Sequence, residues 1–330
     1  MMDQRLNDRI LGVMGGLSAG DALGAGYEFG PSFGSDVPVA MIGGGLGDFA
    51  PGEWTDDTSM AVVIAQALVL SGGKVTPAAC DRMVQEWEHW AQTAPDVGNQ
   101  TRAVLNLGRQ LADQAGRQTI TAEDAVEAAA LIHQRTGRSG GNGSLMRTAP
   151  VAIAFLGADA EEAYGAAVRI SELTHFDAEA GEACGLWTVA IHHALRTGEL
   201  NIRYGLNLLD SSRSEIWNHR IDQAETSATA QFANNGWVVE AFQSAWCAIS
   251  TTSSANPGEH LVDALEAAVR GGQDTDTVAA IAGSLIGAAY GQSAIPSQWQ
   301  SIIHGWPGLR AADLDKLAIT LATPSLPVQE

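Results

Sequence analysis

Residues 10–29, ILGVMGGLSAGDALGAGYEF, decide the fold. Glycines stand at every fourth position, Gly12, Gly16, Gly20 and Gly24. On a helix that interval keeps them on one face. A face bare of side chains lets a second helix come close, so the stretch predicts a helix buried inside a helical protein. Membrane helices use the same stripe. Here Asp21 and Glu28 interrupt the run, and its uncharged part is shorter than the roughly 20 residues a bilayer requires. A buried soluble helix is the expectation, and no membrane contact.

Outward from this stretch the pattern stays helical. Alanine-rich apolar segments with helical periodicity fall at 60–70, 79–92, 101–115, 121–136, 158–173, 178–197, 236–250, 260–270 and 277–290. Strand-like alternation is nearly absent. Thr121-Ala122-Glu123-Asp124 opens one helix as a capping box, and Thr76-Pro77 opens another. The fold class is all-α. Loops rich in glycine, proline and polar residues fall at 30–53, 137–144, 250–259 and 291–309. None is a low-complexity linker, so a single domain over 1–330 is expected. The more polar stretch 201–235 contains Asp210-Ser211-Ser212-Arg213-Ser214 and Ala233-Asn234-Asn235-Gly236, and it reads as a peripheral insertion or mobile lid.

Composition narrows the partners. The 330 residues are 45% hydrophobic, ample for a core, and 38 acidic against 18 basic residues give a net charge of −20. Such a surface repels phosphate backbones and anionic membranes, which argues against nucleic acid as a partner. Cys80, Cys184 and Cys247 stand far apart in apolar helical stretches and read as free thiols. Residues 1–10 carry no signal-peptide pattern, so a cytoplasmic protein is expected. A monomer is expected as well.

Two acidic clusters carry the chemistry, Thr55-Asp56-Asp57-Thr58 and Asp274-Thr275-Asp276-Thr277. Each precedes a small-residue apolar helix. Adjacent aspartates on a helix point about 100° apart and can share a ligand only near a helix start, where the dipole also favours negative charge. Either cluster alone reads as an acidic helix N-terminus. If both helix starts converge, four carboxylates and the hydroxyls of Thr55 and Thr277 form an all-oxygen pocket suited to Mg2+ or Mn2+. Two such cations would offset the self-repulsion and clamp a substrate's oxygens. Hydrolysis is the chemistry this implies.

Further motifs complete a recognisable set. They are Gly20-Asp21-Ala22-Leu23-Gly24 with Tyr27-Glu28, Trp54-Thr55-Asp56-Asp57-Thr58, Gly141-Asn142-Gly143-Ser144-Leu145-Met146-Arg147, Thr174-His175, and Gly272-Gln273-Asp274-Thr275-Asp276-Thr277. Taken together, in this order, they resemble the ADP-ribosylglycohydrolases. The resemblance implies an orthogonal helical bundle with two Mg2+ or Mn2+ ions in a central cleft, releasing ADP-ribose from a modified protein or small molecule. It implies Thr55, Asp56, Asp57, Asp274, Asp276 and Thr277 as metal ligands.

The catalytic carboxylate is left between two residues. A glutamate in the position of Glu28 works beside the metals in the family's vertebrate serine-linkage branch. Asp96, in Pro95-Asp96-Val97-Gly98-Asn99-Gln100-Thr101, matches a functional aspartate of the nitrogenase-regulating branch, and Asn99 is expected to contact substrate. The resemblance makes Gly141, Asn142, Gly143 and Ser144 a diphosphate cradle, with backbone N–H groups facing the anion. Arg147 either reaches the substrate or pairs with a buried carboxylate such as Asp21. His175 is expected near the adenosine end. The competing readings are a two-metal phosphohydrolase or pyrophosphatase, and a protein that binds ADP-ribose without turnover.

Overall fold

The glycine stripe lies in α1 (Gln4–Gly24), against a second stripe near the other end of the chain. The computed structural model describes residues 3–323 and is built of helices. After α1 come α2 (Asp56–Leu70), α3 (Pro77–Ala91), α4 (Asn99–Gln114), α5 (Ala122–Thr136), α6 (Pro150–Ala154) and α7 (Ala160–Glu172). Then follow α8 (Ala178–Thr197), α9 (Ser211–Glu225), α10 (Val238–Thr251), α11 (Pro257–Arg270), α12 (Thr275–Tyr290), α13 (Ser297–Ile302) and α14 (Ala311–Ala322). Among the described residues the one sheet pairs β1 (His304–Gly305) antiparallel with β2 (Leu309–Arg310). The all-α expectation holds.

Backbone touches backbone between α1 and α12. A Cβ on Gly12 would lie 2.2 Å from the Gly287 carbonyl oxygen, one on Gly16 2.1 Å from that of Gly283, and one on Gly20 2.0 Å from that of Ala279. No side chain fits at these distances. The contact ends at Gly24, where a Cβ would sit 2.4 Å from the Asp276 Cα. The stripe therefore fixes the start of α12, with its acidic cluster, beside the end of α1.

Tryptophan indoles brace the same core. Trp87 of α3 donates to the Met60 carbonyl of α2 at 3.2 Å, and Trp187 of α8 donates to the Ile281 carbonyl of α12 at 3.1 Å. Both indoles are buried, so each partnered N–H removes a desolvation cost. The capping box at Thr121 forms as its sequence predicts, with Asp124 accepting the Thr121 N–H at 3.0 Å.

The periodicity marked ten of these helices and left four unmarked. In the polar stretch 201–235, α9 buries only Trp217, Ile221 and Ala224, too few to give a visible stripe. Its charges are paired: Arg203 bridges Asp222 and Glu225, and Arg213 bridges Glu179 and Glu182. The unmarked α6 and α13 are one or two turns long, and α14 buries only Leu314, Ala318 and Leu321. Residues 30–53 contain no helix. Cys184 and Cys247 are buried and Cys80 half-buried, all three free. No described helix is long and apolar enough to cross a membrane.

Candidate metal centre and substrate cleft

The two acidic clusters meet. Thr55 stands at the N-cap of α2 and Asp274 at that of α12, yet neither side chain caps its own helix. Elsewhere Thr76, Thr121, Asp159, Asp177 and Asp210 do cap theirs. The cap role that each cluster alone suggests is therefore not used. The side chains turn inward to face each other.

Two carboxylate triads result, each with its oxygens within 4.8 Å of one another: Asp21, Asp57 and Asp276, and Glu28, Asp274 and Asp276. Asp276 belongs to both. The role of Asp21 differs from the rest. One of its oxygens accepts from the Thr55 N–H at 2.8 Å and the Thr55 hydroxyl at 2.9 Å. The other accepts from the Thr58 N–H at 2.9 Å and the Thr58 hydroxyl at 2.6 Å. With both oxygens occupied, Asp21 clamps the first turn of α2 from α1 and is not itself free to ligate.

That clamp spends the only proton on the Thr55 hydroxyl. Its lone pairs are left facing Asp57 Oδ2 at 3.0 Å and Asp276 Oδ2 at 3.3 Å. Oxygen lone pairs opposed across such distances repel, and a cation among them reverses the sign. Asp57 Oδ1 and Glu28 Oε2 are buried without a protein hydrogen-bond partner. Hard carboxylate and hydroxyl oxygens, two of the carboxylate ones orphaned, form an acidic cluster that fits a divalent cation of the Mg2+ or Mn2+ type.

Electrostatics agree. Burial pushes the Asp56 carboxyl up to about 8, with Asp96, Asp21 and Asp274 adding to the shift. Burial, then Asp274, Asp96 and Asp56, push Glu28 up to about 8 as well. Asp57 and Asp276 are raised well above the usual carboxylate range, by burial first and by neighbouring aspartates second. Without a counter-ion the cluster holds protons in place of charge.

Asn235 orients Asp274. Its side-chain oxygen accepts the Asp274 N–H at 3.0 Å and its amide donates to the Gly272 carbonyl at 3.0 Å. Asn142 donates to Asp274 Oδ2 at 2.8 Å and to the Asn235 carbonyl at 2.9 Å. Phe29, at φ 56°, donates its N–H to the Gln273 carbonyl at 2.6 Å, which draws Glu28 against the start of α12.

Over this cluster lies a cleft of about 340 Å3, walled by Glu28, Asp56, Asp96, Asn99, Asp274, Asp276 and Thr277 and roofed by Gly141, Asn142, Gly143 and His175. It continues past Gln100, Gly141 and Gly236 into a hollow of about 620 Å3 beside Trp237. The glycine loop is less open to an anion than its sequence implies. Only a three-residue turn, 142–144, follows it, and the Asn142 N–H already donates to the Gly236 carbonyl at 3.1 Å. Ser144 is fully buried and its hydroxyl accepts from Ser171 at 2.9 Å, away from the cleft.

Arg147 fits neither expected role. It is fully buried and does not line the cleft, and Asp21 is spoken for by Thr55 and Thr58. Its guanidinium lies over the Trp87 ring at 4.0 Å and donates to the Thr174 hydroxyl at 2.6 Å. An arginine can only donate, so Thr174 passes its own proton to His175 Nδ1, 2.7 Å away. The ring proton of His175 therefore sits on Nε2, the nitrogen that faces Gly141 and Gly143. Burial, and then Arg147, hold this histidine well below its usual pKa, so it is a neutral donor.

Comparison with known proteins decides what kind of centre this is. The ADP-ribosylglycohydrolase family profile matches residues 2–326. The chain belongs to the ADP-ribosylglycohydrolase family. It is 30% identical over 298 residues to the ADP-ribosylarginine hydrolase Tri1 of Pseudomonas putida, covering 88% of this chain and 73% of that one. It is 30% identical over 311 residues to the ADP-ribosyl-dinitrogen reductase glycohydrolase of Rhodospirillum rubrum, covering 91% and 92%. A solved ADP-ribosylglycohydrolase-related protein superposes with a TM-score of 0.70 at 26% identity, over 97% and 99%. An ADP-ribosylglycohydrolase is a hydrolase of glycosidic bonds, which sets aside the phosphohydrolase reading.

Two residues of this glycohydrolase site carried no role in its sequence, and a third, Asp21, was expected only as a partner for Arg147. Asp21 stands within a quoted motif, but its spacing gives no sign that it clamps Thr55 and Thr58. Asn235 looks like an ordinary turn residue. Gln100, which donates to the Ser139 carbonyl at 2.8 Å and the Thr174 carbonyl at 3.0 Å, could have been suspected only from its place in the Asp96 loop.

Proposed function

We propose that this chain hydrolyses the bond between ADP-ribose and an acceptor, a modified protein side chain or a related small molecule, using two divalent cations, Mg2+ or Mn2+. The observation that carries the reading is that the two helix starts converge, with Asp57 of one and Asp274 of the other both brought against Asp276. Thr55, Asp56, Asp57, Asp274, Asp276 and Thr277 would hold the cations. Glu28 lies within reach of the same centre. When bound, such cations offset the clustered charge and grip the vicinal hydroxyls of the ribose. That Tri1 of P. putida is an ADP-ribosylarginine hydrolase supports arginine as an acceptor. The three free thiols suit a reducing compartment such as the cytoplasm.

The chain's own residues supply the rest. His175 Nε2–H and the backbone around Gly141 and Gly143 face the diphosphate, and Asn99 stands at the exposed side of the cleft. Water adds its oxygen to the ribose carbon as the bond to the acceptor breaks, and the acceptor atom leaves with a proton. Asp96 gives that proton, because it stands with Asp56 where the cleft meets a neighbouring cavity and burial raises its pKa. Glu28, set beside Asp274 and Asp276, would be held ionised by bound cations and so takes the proton from water. This assignment separates two carboxylates that sequence alone leaves equivalent.

Product analysis tests the reading. Incubated with Mg2+ or Mn2+ and arginine-linked, serine-linked or O-acetyl ADP-ribose, the protein should release ADP-ribose whole from at least one. Release of AMP or inorganic phosphate instead would overturn it.

A further inference from the structure

A second chamber opens on the other side of Asp56 and Asp96. It has a volume of about 400 Å3 and shares those two carboxylates, and no other residues, with the cleft of about 340 Å3. Asp56 and Asp96 therefore form the junction between the two spaces. The cleft, which holds the acidic centre, shares Gln100, Gly141 and Gly236 in turn with the hollow beside Trp237.

The chain builds the chamber from distant segments. The Trp54 N–H donates to the His304 carbonyl at 2.9 Å, and the His304 N–H donates to the Gly52 carbonyl at 3.0 Å. The Trp54 indole donates to the Trp306 carbonyl at 3.2 Å. A Cβ on Gly305 would meet the Trp54 ring at 2.5 Å, so glycine is required for β1 to lie flat on that ring. These contacts tie the β1–β2 hairpin to the residues just before α2. What they enclose is a space faced by three indoles, Trp54, Trp90 and Trp306, and three carboxylates, Glu53, Asp56 and Asp96. The Glu53 side chain is anchored by the Ala50 N–H, which donates to its Oε2 at 2.8 Å. Arg310, the one cation in the lining, is exposed at the rim.

The half-buried Trp306 indole and the Glu53 carboxylate together match one chemistry closely. A guanidinium is planar and permanently charged, it stacks on aromatic faces, and its fork of N–H groups meets carboxylates. A neutral hydroxyl acceptor gains nothing from the charge of Glu53, the one carboxylate of the lining that neither holds a cation nor carries the catalytic proton. We infer that this chamber is the acceptor subsite, and that it takes the guanidinium of an arginine side chain while ADP-ribose fills the cleft beyond Asp56 and Asp96. This rests on the glycohydrolase reading above and adds to it the residues that choose the acceptor. The hairpin then has a function: it supplies Trp306 and closes the chamber over Glu53.

The test uses agmatine, a small guanidinium compound, as probe and the Glu53→Gln variant, which keeps an oxygen for the Ala50 N–H but loses the charge. Intrinsic tryptophan fluorescence of the full chain, titrated with agmatine in the presence of saturating ADP-ribose, should show saturable binding. In Glu53→Gln that affinity should weaken about tenfold, and KM for arginine-linked ADP-ribose should rise by a similar factor. Affinity for ADP-ribose alone, measured by calorimetry, should stay within about twofold in the variant. Trp306→Ala should weaken agmatine binding too, while Trp54 keeps its bond to the backbone carbonyl. The inference is overturned if agmatine does not bind, or binds wild type and Glu53→Gln alike, while ADP-ribose binds normally. Failure to bind ADP-ribose at all would instead sink the glycohydrolase reading itself.

Discussion

One hydroxyl proton governs the centre at the scale of the residue. Asp21 takes it from Thr55, and the lone pairs left behind face Asp57 and Asp276, an arrangement stable only with positive charge between them. A second relay, Arg147 to Thr174 to His175, fixes a ring proton where substrate would lie. Thr174→Val removes the hydroxyl that carries the relay. We expect the His175 tautomer, read from its ring nitrogen shifts, to become mixed, and KM for the substrate to rise about tenfold, with Thr174→Ser restoring both. Unchanged shifts in the valine variant would show that Arg147 does not set the tautomer. The acidic ligand candidates were legible in the sequence because paired aspartates, adjacent at one helix start and two residues apart at the other, are conspicuous. Asp21, Asn235 and Gln100 were not, because each acts through hydrogen bonds to residues far along the chain. The role of Arg147 was also hidden, since nothing in a sequence shows that Thr58 and Thr55 have already claimed Asp21.

The element that places the site is α1. Its stripe brings α12 so close that Gly24 touches Asp276, and thereby sets two acidic clusters more than two hundred residues apart in register. A Cβ at Gly20 would lie 2.0 Å from a backbone oxygen that cannot move aside. Gly20→Val should cost about 3 kcal/mol or more in urea unfolding, whereas Gly157→Ala, with nothing within 4 Å of the added carbon, should be near neutral. Equal midpoints for both variants would remove the stripe from its structural role. The sequence announced α1 and α12 clearly because glycine spacing and unbroken apolar composition survive without context. It concealed α9 and α14, whose few buried residues leave most of each helix polar, and it gave no hint of the β1–β2 hairpin, two residues per strand.

For the whole molecule, burying so many carboxylates in one place makes sense only if something positive arrives with them. Among the described residues no lysine or arginine forms an ion pair with Asp56, Asp57, Asp274 or Asp276, and the only nearby guanidinium, that of Arg147, is spent on Thr174 and Trp87. Protons fill the role when cations are absent, which is why Glu28 and Asp56 sit at about 8. Cations and protons must then compete for the same oxygens. As pH falls below about 8 the carboxyls are increasingly protonated, so cation binding should weaken and should release protons when it occurs. The net charge of −20 adds a general attraction for cations but cannot localise one. The most direct measurement is calorimetric titration of EDTA-stripped protein with Mn2+ at pH 8.5 and pH 5.5, beside the Asp276→Ala variant. Saturable binding is expected at the higher pH, at least about tenfold weaker binding at the lower one, and little or none in the variant. Binding that is absent at pH 8.5, or that is the same at both pH values and in Asp276→Ala, would contradict that expectation.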